Sequence, residues 1–160
     1  MSMIGNYLMV EEKVISKVQQ REITIEEIIY NTDTDEEDYL DIDKSWHAIH
    51  YLLCGETWEG ERPLFNVVLG GKEINKQDVG YGPARYLTAL EVQEVYDAIK
   101  EITVPELHRR FNIKELQEAD IYPQFDREDD FEYISGYFVY LQDFFGRAAD
   151  RGKAVIMYLN

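Results

Sequence analysis

Leu40-Asp41-Ile42-Asp43-Lys44-Ser45-Trp46-His47-Ala48-Ile49-His50-Tyr51-Leu52-Leu53-Cys54-Gly55 reads as the start, body and stop of one helix. Asp43 is placed to cap it, Asp41 suits the positive end of its dipole, and Gly55 is placed to end it in a left-handed conformation. At about 100° per residue, Trp46, Ile49 and Leu53 share the centre of an apolar face, with Leu52 on its flank. His50 falls inside that arc and His47 at its edge, beside Cys54. A buried imidazole needs hydrogen-bond partners. His50 is therefore either a satisfied core histidine or a pocket group oriented by Asp41 or Asp43. A metal site from His47, His50 and an aspartate is a loose match, because the two rings occupy different parts of the face. Cys54 one turn from His50 lacks an oxyanion donor and makes a poor nucleophile. Neither a metal, a cofactor nor a catalytic residue is expected.

Outward from this helix, strands and helices alternate. Met3 to Val10 is a short apolar run expected as an interior strand, and Val14, Ile15 and Val18 recur at helical spacing. Thr24 with Glu27 is a capping box opening a second short helix. Asn31 to Asp38 carries five carboxylates and almost nothing to bury, so a solvated loop is expected there. Leu64 to Leu69 reads as a buried strand stopped by Gly70-Gly71. Tyr81 to Leu87 is extended chain leading into a helix capped by Thr88 and Glu91, with Val92, Val95, Ala98, Ile99 and Ile102 as its apolar stripe. Pro105 opens another short helix and Ile113 to Ala119 forms a further one. The longest helix is expected over about Phe131 to Asp150, with Phe131, Ile134, Phe138, Leu141, Phe145 and Ala148 facing the core. Gly152 stops it, and Ala154 to Leu159 is a last strand. This order predicts a single-domain layered α/β sandwich over residues 1–160, a mixed sheet with helices on both faces.

The chain has 160 residues, enough for one full core, with 45% hydrophobic and 13% aromatic residues. Its 32 acidic against 16 basic residues give a formal charge of −16. That field repels phosphate backbones and anionic bilayers, so no nucleic-acid or membrane partner is expected, and it favours a basic protein, a cation or simply solubility. No segment reaches the roughly 18–20 continuous apolar residues of a membrane span. The N-terminus lacks the basic start of a signal peptide, and a lone Cys54 forms no internal disulfide. A cytoplasmic location is consistent with both.

Three more residues carry possible recognition chemistry. Trp58, isolated on the Gly55–Pro63 loop, is either an exposed anchor for a partner or a lid folded over the core. Tyr81 and Arg85 lie within the stretch Gly80-Tyr81-Gly82-Pro83-Ala84-Arg85-Tyr86, whose small residues let a ligand approach. The glycines precede the extended segment, so this is not a phosphate loop. Arg85 could clamp a carboxylate bidentately, on a ligand or on Asp41 or Asp43.

Several blocks together resemble a known family. Met3-Ile4-Gly5, Leu40 to Trp46 with His50 and Gly55, Pro63-Leu64 with Val68-Leu69-Gly70, and Glu106-Leu107 through Phe111 to Leu116 and Ile121-Tyr122-Pro123 follow the order and spacing of the YfbM-like proteins of bacteria. The resemblance runs nearly end to end. It implies a three-layer α/β sandwich and supplies no catalytic residue, since the function of that family is unassigned.

Two functions remain in view, beside a structural reading in which the motif only locks the fold. One is a small acidic binding protein that recognises a basic protein, of inhibitor or immunity type by analogy. The other is an enzyme or small-molecule receptor with a pocket built from Asp41, Asp43, Trp46, His50 and Arg85. A pocket of at least about 300 Å³ in which those side chains converge marks the second. A flat acidic face with an exposed aromatic marks the first.

Overall fold

The computed structural model describes residues 2–160. Its sheet comprises β1 (Gly5–Val10), β2 (Tyr39–Asp41), β3 (Lys72–Asp78), β4 (Pro83–Leu87) and β5 (Ala154–Leu159), in the order β2-β1-β5-β4-β3. Side chains alternate across it. Tyr7, Met9, Leu87, Val155 and Met157 point to one face, while Leu8, Ile74, Ala84, Ile156 and Tyr158 point to the other. The sheet is antiparallel at every pairing, where a mixed one was expected. The cause lies in the connections. β3 and β4 form a hairpin through the Asp78–Gly82 turn, and the last strand inserts between β1 and β4, opposed to both.

Helices cover both faces, as the alternation of strands and helices implied. α1 (Glu12–Gln19) and α2 (Ile25–Ile29) bring Ile15, Val18 and Ile25 onto the second face. α3 (Trp46–Cys54), α4 (Ala89–Ile99), α5 (Val104–Arg110), α6 (Ile113–Glu118) and α7 (Asp130–Asp150) build the larger core on the first. The capping boxes Thr24–Glu27 and Thr88–Glu91 are both formed. The α7 stripe is buried as read, but the buried arc is wider. Phe144 is fully buried as well and meets Tyr7 edge-on at 6.1 Å.

Two segments differ from their sequence pattern. Leu64 to Leu69 is not a strand: Leu64–Val67 makes a 3-10 turn with Asn66 buried, its Oδ1 accepting the Gly71 N–H at 3.3 Å. A short apolar run has no period to distinguish the two. β3 has no sequence signature because it is an edge strand whose residues other than Ile74 and Asn75 are exposed, so no apolar alternation marks it. Asn31 to Asp38 is largely exposed, with a 3-10 turn at Glu36–Asp38.

Candidate functional site

The start of α3 is locked by side chains rather than capped in the simple way. Asp43 does not cap the helix; it lies in a 3-10 turn at φ 51°. Asp41 Oδ1 accepts its N–H at 2.7 Å, and Asp43 Oδ2 accepts the Tyr133 hydroxyl at 2.9 Å. The Tyr133 oxygen in turn accepts the Lys44 N–H at 2.9 Å, so a tyrosine from α7 takes the capping role. Burial, then the hydrogen bond to Asp43, holds the Tyr133 phenol above its ordinary range and keeps it a donor. No local spacing in the sequence points to Tyr133. At the other end Gly55 ends the helix as read, at φ 74°.

Trp46, Ile49 and Leu53 are buried, and so are both histidines. His47 Nε2 lies 2.9 Å from the Thr57 carbonyl, while its Nδ1 accepts the Tyr122 N–H at 2.9 Å. A carbonyl only accepts, so the ring is neutral with its proton on Nε2. His50 Nε2 lies 3.0 Å from the Glu59 carbonyl and by the same logic donates to it. Its Nδ1 is buried without a partner. Burial lowers the pKa of both rings against the opposing pull of those carbonyls, that of His50 to about 4. Spaced three residues apart on one helix, the imidazoles hold two carbonyls spaced two apart on the following loop. Neither Asp41 nor Asp43 orients His50.

What they hold in place is Trp58. Its ring stacks on His47 at 4.3 Å, and His47 stacks in turn on Trp46 at 5.1 Å. Trp46 is anchored by its indole N–H to the Met3 carbonyl at 2.9 Å. Gly60 brings the loop so close to α3 that a Cβ there would lie 2.7 Å from Cys54 Sγ. Burial pushes that thiol up to about 11, which disfavours the nucleophilic thiolate. Trp58 nonetheless remains 58% exposed. One face of the Trp58 ring packs on His47 and the rest of the ring meets solvent. Exposed Glu56, Glu59 and Glu61 flank it along the chain. Glu118 and Asp120 flank Ala119, whose carbonyl accepts the Thr57 hydroxyl.

Arg85 and Tyr81 lie elsewhere. Arg85 sits on β4 opposite Met157, and its Nη1 donates to the carbonyls of Val68 at 3.0 Å and Gly70 at 2.5 Å. Burial lowers its pKa, and Tyr7 opposes that shift. It makes no ion pair with Asp41 or Asp43. Asp41 is on β2, three strand spacings from β4, about 14 Å across the sheet. Tyr81 is 37% exposed on the β3–β4 turn, its N–H bonded to the Leu159 carbonyl.

The shared pocket is therefore not formed. Trp46 and Arg85 meet only at a crevice of about 10 Å³. A cleft of about 710 Å³, lined by residues including Glu61, Arg62, Phe65 and Lys72, includes none of the eight residues singled out from sequence. Among the described residues no three His, Cys, Asp or Glu side chains group to hold a metal ion, and no helix is long and apolar enough to cross a membrane.

Comparison with known proteins agrees with this architecture. Over 77% of its length, and 74% of the relative's, the chain is 30% identical to Protein YfbM of Escherichia coli. The crystal structure of YfbM from Escherichia coli, described as a protein of unknown function, superposes with a TM-score of 0.75. That match covers 98% of this chain and 99% of the other at 21% identity, so it speaks for the fold. A family model, "Domain of unknown function (DUF1877)", matches residues 1–158, and the chain belongs to that family.

Proposed function

We propose that the protein is a non-catalytic binding protein that presents the Trp58 loop to a basic protein partner. The observation that carries this reading is a tryptophan that is more than half exposed and yet fixed from behind by the stack on His47. Rigid exposed aromatics make anchors at little entropic cost on binding. The carboxylates around it and the net charge of −16 select a basic surface and speed its approach.

The test is affinity capture from the native host, with the wild type beside Trp58→Ala and a Glu56→Gln/Glu59→Gln double variant. A basic protein retained by the wild type, released as salt rises above about 0.3 M and lost with both variants, supports the reading. A retained protein that ignores all three substitutions contradicts it.

A further inference from the structure

On the sheet face opposite the Trp58 loop, a groove of about 290 Å³ runs between α2 and the edge strand β2. Its floor is Leu8 and Tyr158, both buried; its walls include Tyr30, 63% exposed, and Tyr39, 39% exposed. Asp35 and Glu36 stand on the rim, and no Lys or Arg lines the groove. We propose that this groove binds a small organic cation of the alkylguanidinium or alkylammonium class, held by the rings of Tyr30 and Tyr39 and the carboxylates of Asp35 and Glu36.

Several observations converge. Phenol faces attract a cation through their quadrupole, and desolvation strengthens the attraction. The volume sits at the small end of ligand sites, right for a ligand of few heavy atoms. The loop already receives guanidinium groups on its other side: Arg151 pairs with Asp38 at 2.6 Å, and Arg147 donates to the Glu37 carbonyl. Asp35 and Glu36 form no ion pair among the described residues, which leaves their charge available. The walls are also set in advance. The Tyr39 hydroxyl donates to Asn6 Oδ1, and Asn6 Nδ2 donates to Asn160 Oδ1 at 2.8 Å and to the Ile4 carbonyl at 3.1 Å. Burial first, then the neighbouring Tyr39, Tyr30 and Asp41, hold the Tyr158 phenol above its ordinary pKa, so the floor stays neutral under a negative potential.

The experiment is an NMR titration of the full chain with butylguanidinium and, separately, its neutral isostere butylurea. Saturable shifts confined to Leu8 and residues 28–39 and 156–160, seen with butylguanidinium and absent with butylurea, are expected. Tyr30→Ala should weaken binding about two- to fivefold. Asp35→Asn/Glu36→Gln should weaken it further and remove its salt dependence. Trp58→Ala should leave it unchanged, which separates this site from the partner-binding loop. A peptide carrying one arginine should bind no more tightly than butylguanidinium if the ligand is a free small molecule. Tighter peptide binding would overturn that assignment. No saturation by about 10 mM, equal shifts with butylurea, or unchanged binding in the double variant would overturn the site itself.

Discussion

Two segments that follow one another in the chain dispose of their polar groups in opposite ways. From Asp41 to His50, the carboxylates bond a backbone N–H and a tyrosine hydroxyl, and the imidazoles bond carbonyls of the next loop. From Asn31 to Asp38, the side chains face solvent and only Asp38 among the carboxylates has an ion-pair partner among the described residues. The first segment is dense with residue types that elsewhere carry out catalysis, yet here they hold backbone. The second has the composition of an ordinary loop, yet it forms the rim of a tyrosine-walled groove. Polar groups consumed by internal hydrogen bonds fix a structure; those left over are available to a ligand.

Substitutions should separate the two segments in order of size. The largest contrast lies between the tryptophans. Trp46→Ala removes a ring that is 1% exposed and should cost about 3–5 kcal/mol in denaturant melts. Trp58→Ala should cost less than about 1 kcal/mol while abolishing partner capture. Near-equal costs would show that Trp58 is part of the core and no anchor.

The histidines supply the next effect. Both rings are neutral when folded and have depressed pKa values, so the unfolded chain binds protons first as pH falls. The stability they contribute is complete above about pH 6.5 and is lost progressively towards pH 4, with His50 accounting for the lower end of that window. The loss should be on the order of 3 kcal/mol, most of it from His50. A His47→Gln/His50→Gln variant should be less stable at pH 7 and have a flatter profile between pH 6.5 and 5. An unaltered slope would mean that other groups drive it.

Smaller again is the contrast between carboxylates. Asp43→Ala strips the Tyr133 hydroxyl of its acceptor and should cost about 1–2 kcal/mol. Asp35→Asn should stay within about 0.5 kcal/mol. Comparable losses would erase the distinction between the segments. The smallest effect is general: adding about 0.1–0.5 M salt should raise the melting temperature slightly by screening carboxylate repulsion. A fall would show that the ion pairs outweigh it.

The elements that were legible from sequence owe it to period and punctuation. The α7 stripe, both capping boxes and the stop at Gly55 depend on residues within a few positions of one another, and all are present. The burial of His50 followed from helical geometry, but its partner did not. A backbone carbonyl such as that of Glu59 has no signature in sequence, and Tyr133 reaches Asp43 across 90 positions. From sequence alone, Arg85 reads as a clamp for carboxylates because opposite charge is its natural complement. Strand order, which no local pattern encodes, placed it across the sheet and gave it carbonyls instead. Tyr30, Tyr39 and Tyr158 were missed for the same reason: 119 positions separate Tyr39 from Tyr158, and only the pairing of β1 with both β2 and β5 unites them.

The central claim is that His47 and His50 are neutral staples that set Trp58 in place. The most direct measurement is the side-chain ¹⁵N spectrum of the two imidazoles as a function of pH. Both should show the tautomer protonated on Nε2 at pH 7 and titrate below the ordinary value, His50 near 4. An imidazolium at neutral pH, a proton on Nδ1, or titration of both rings at the ordinary value near 6.5 would contradict the account.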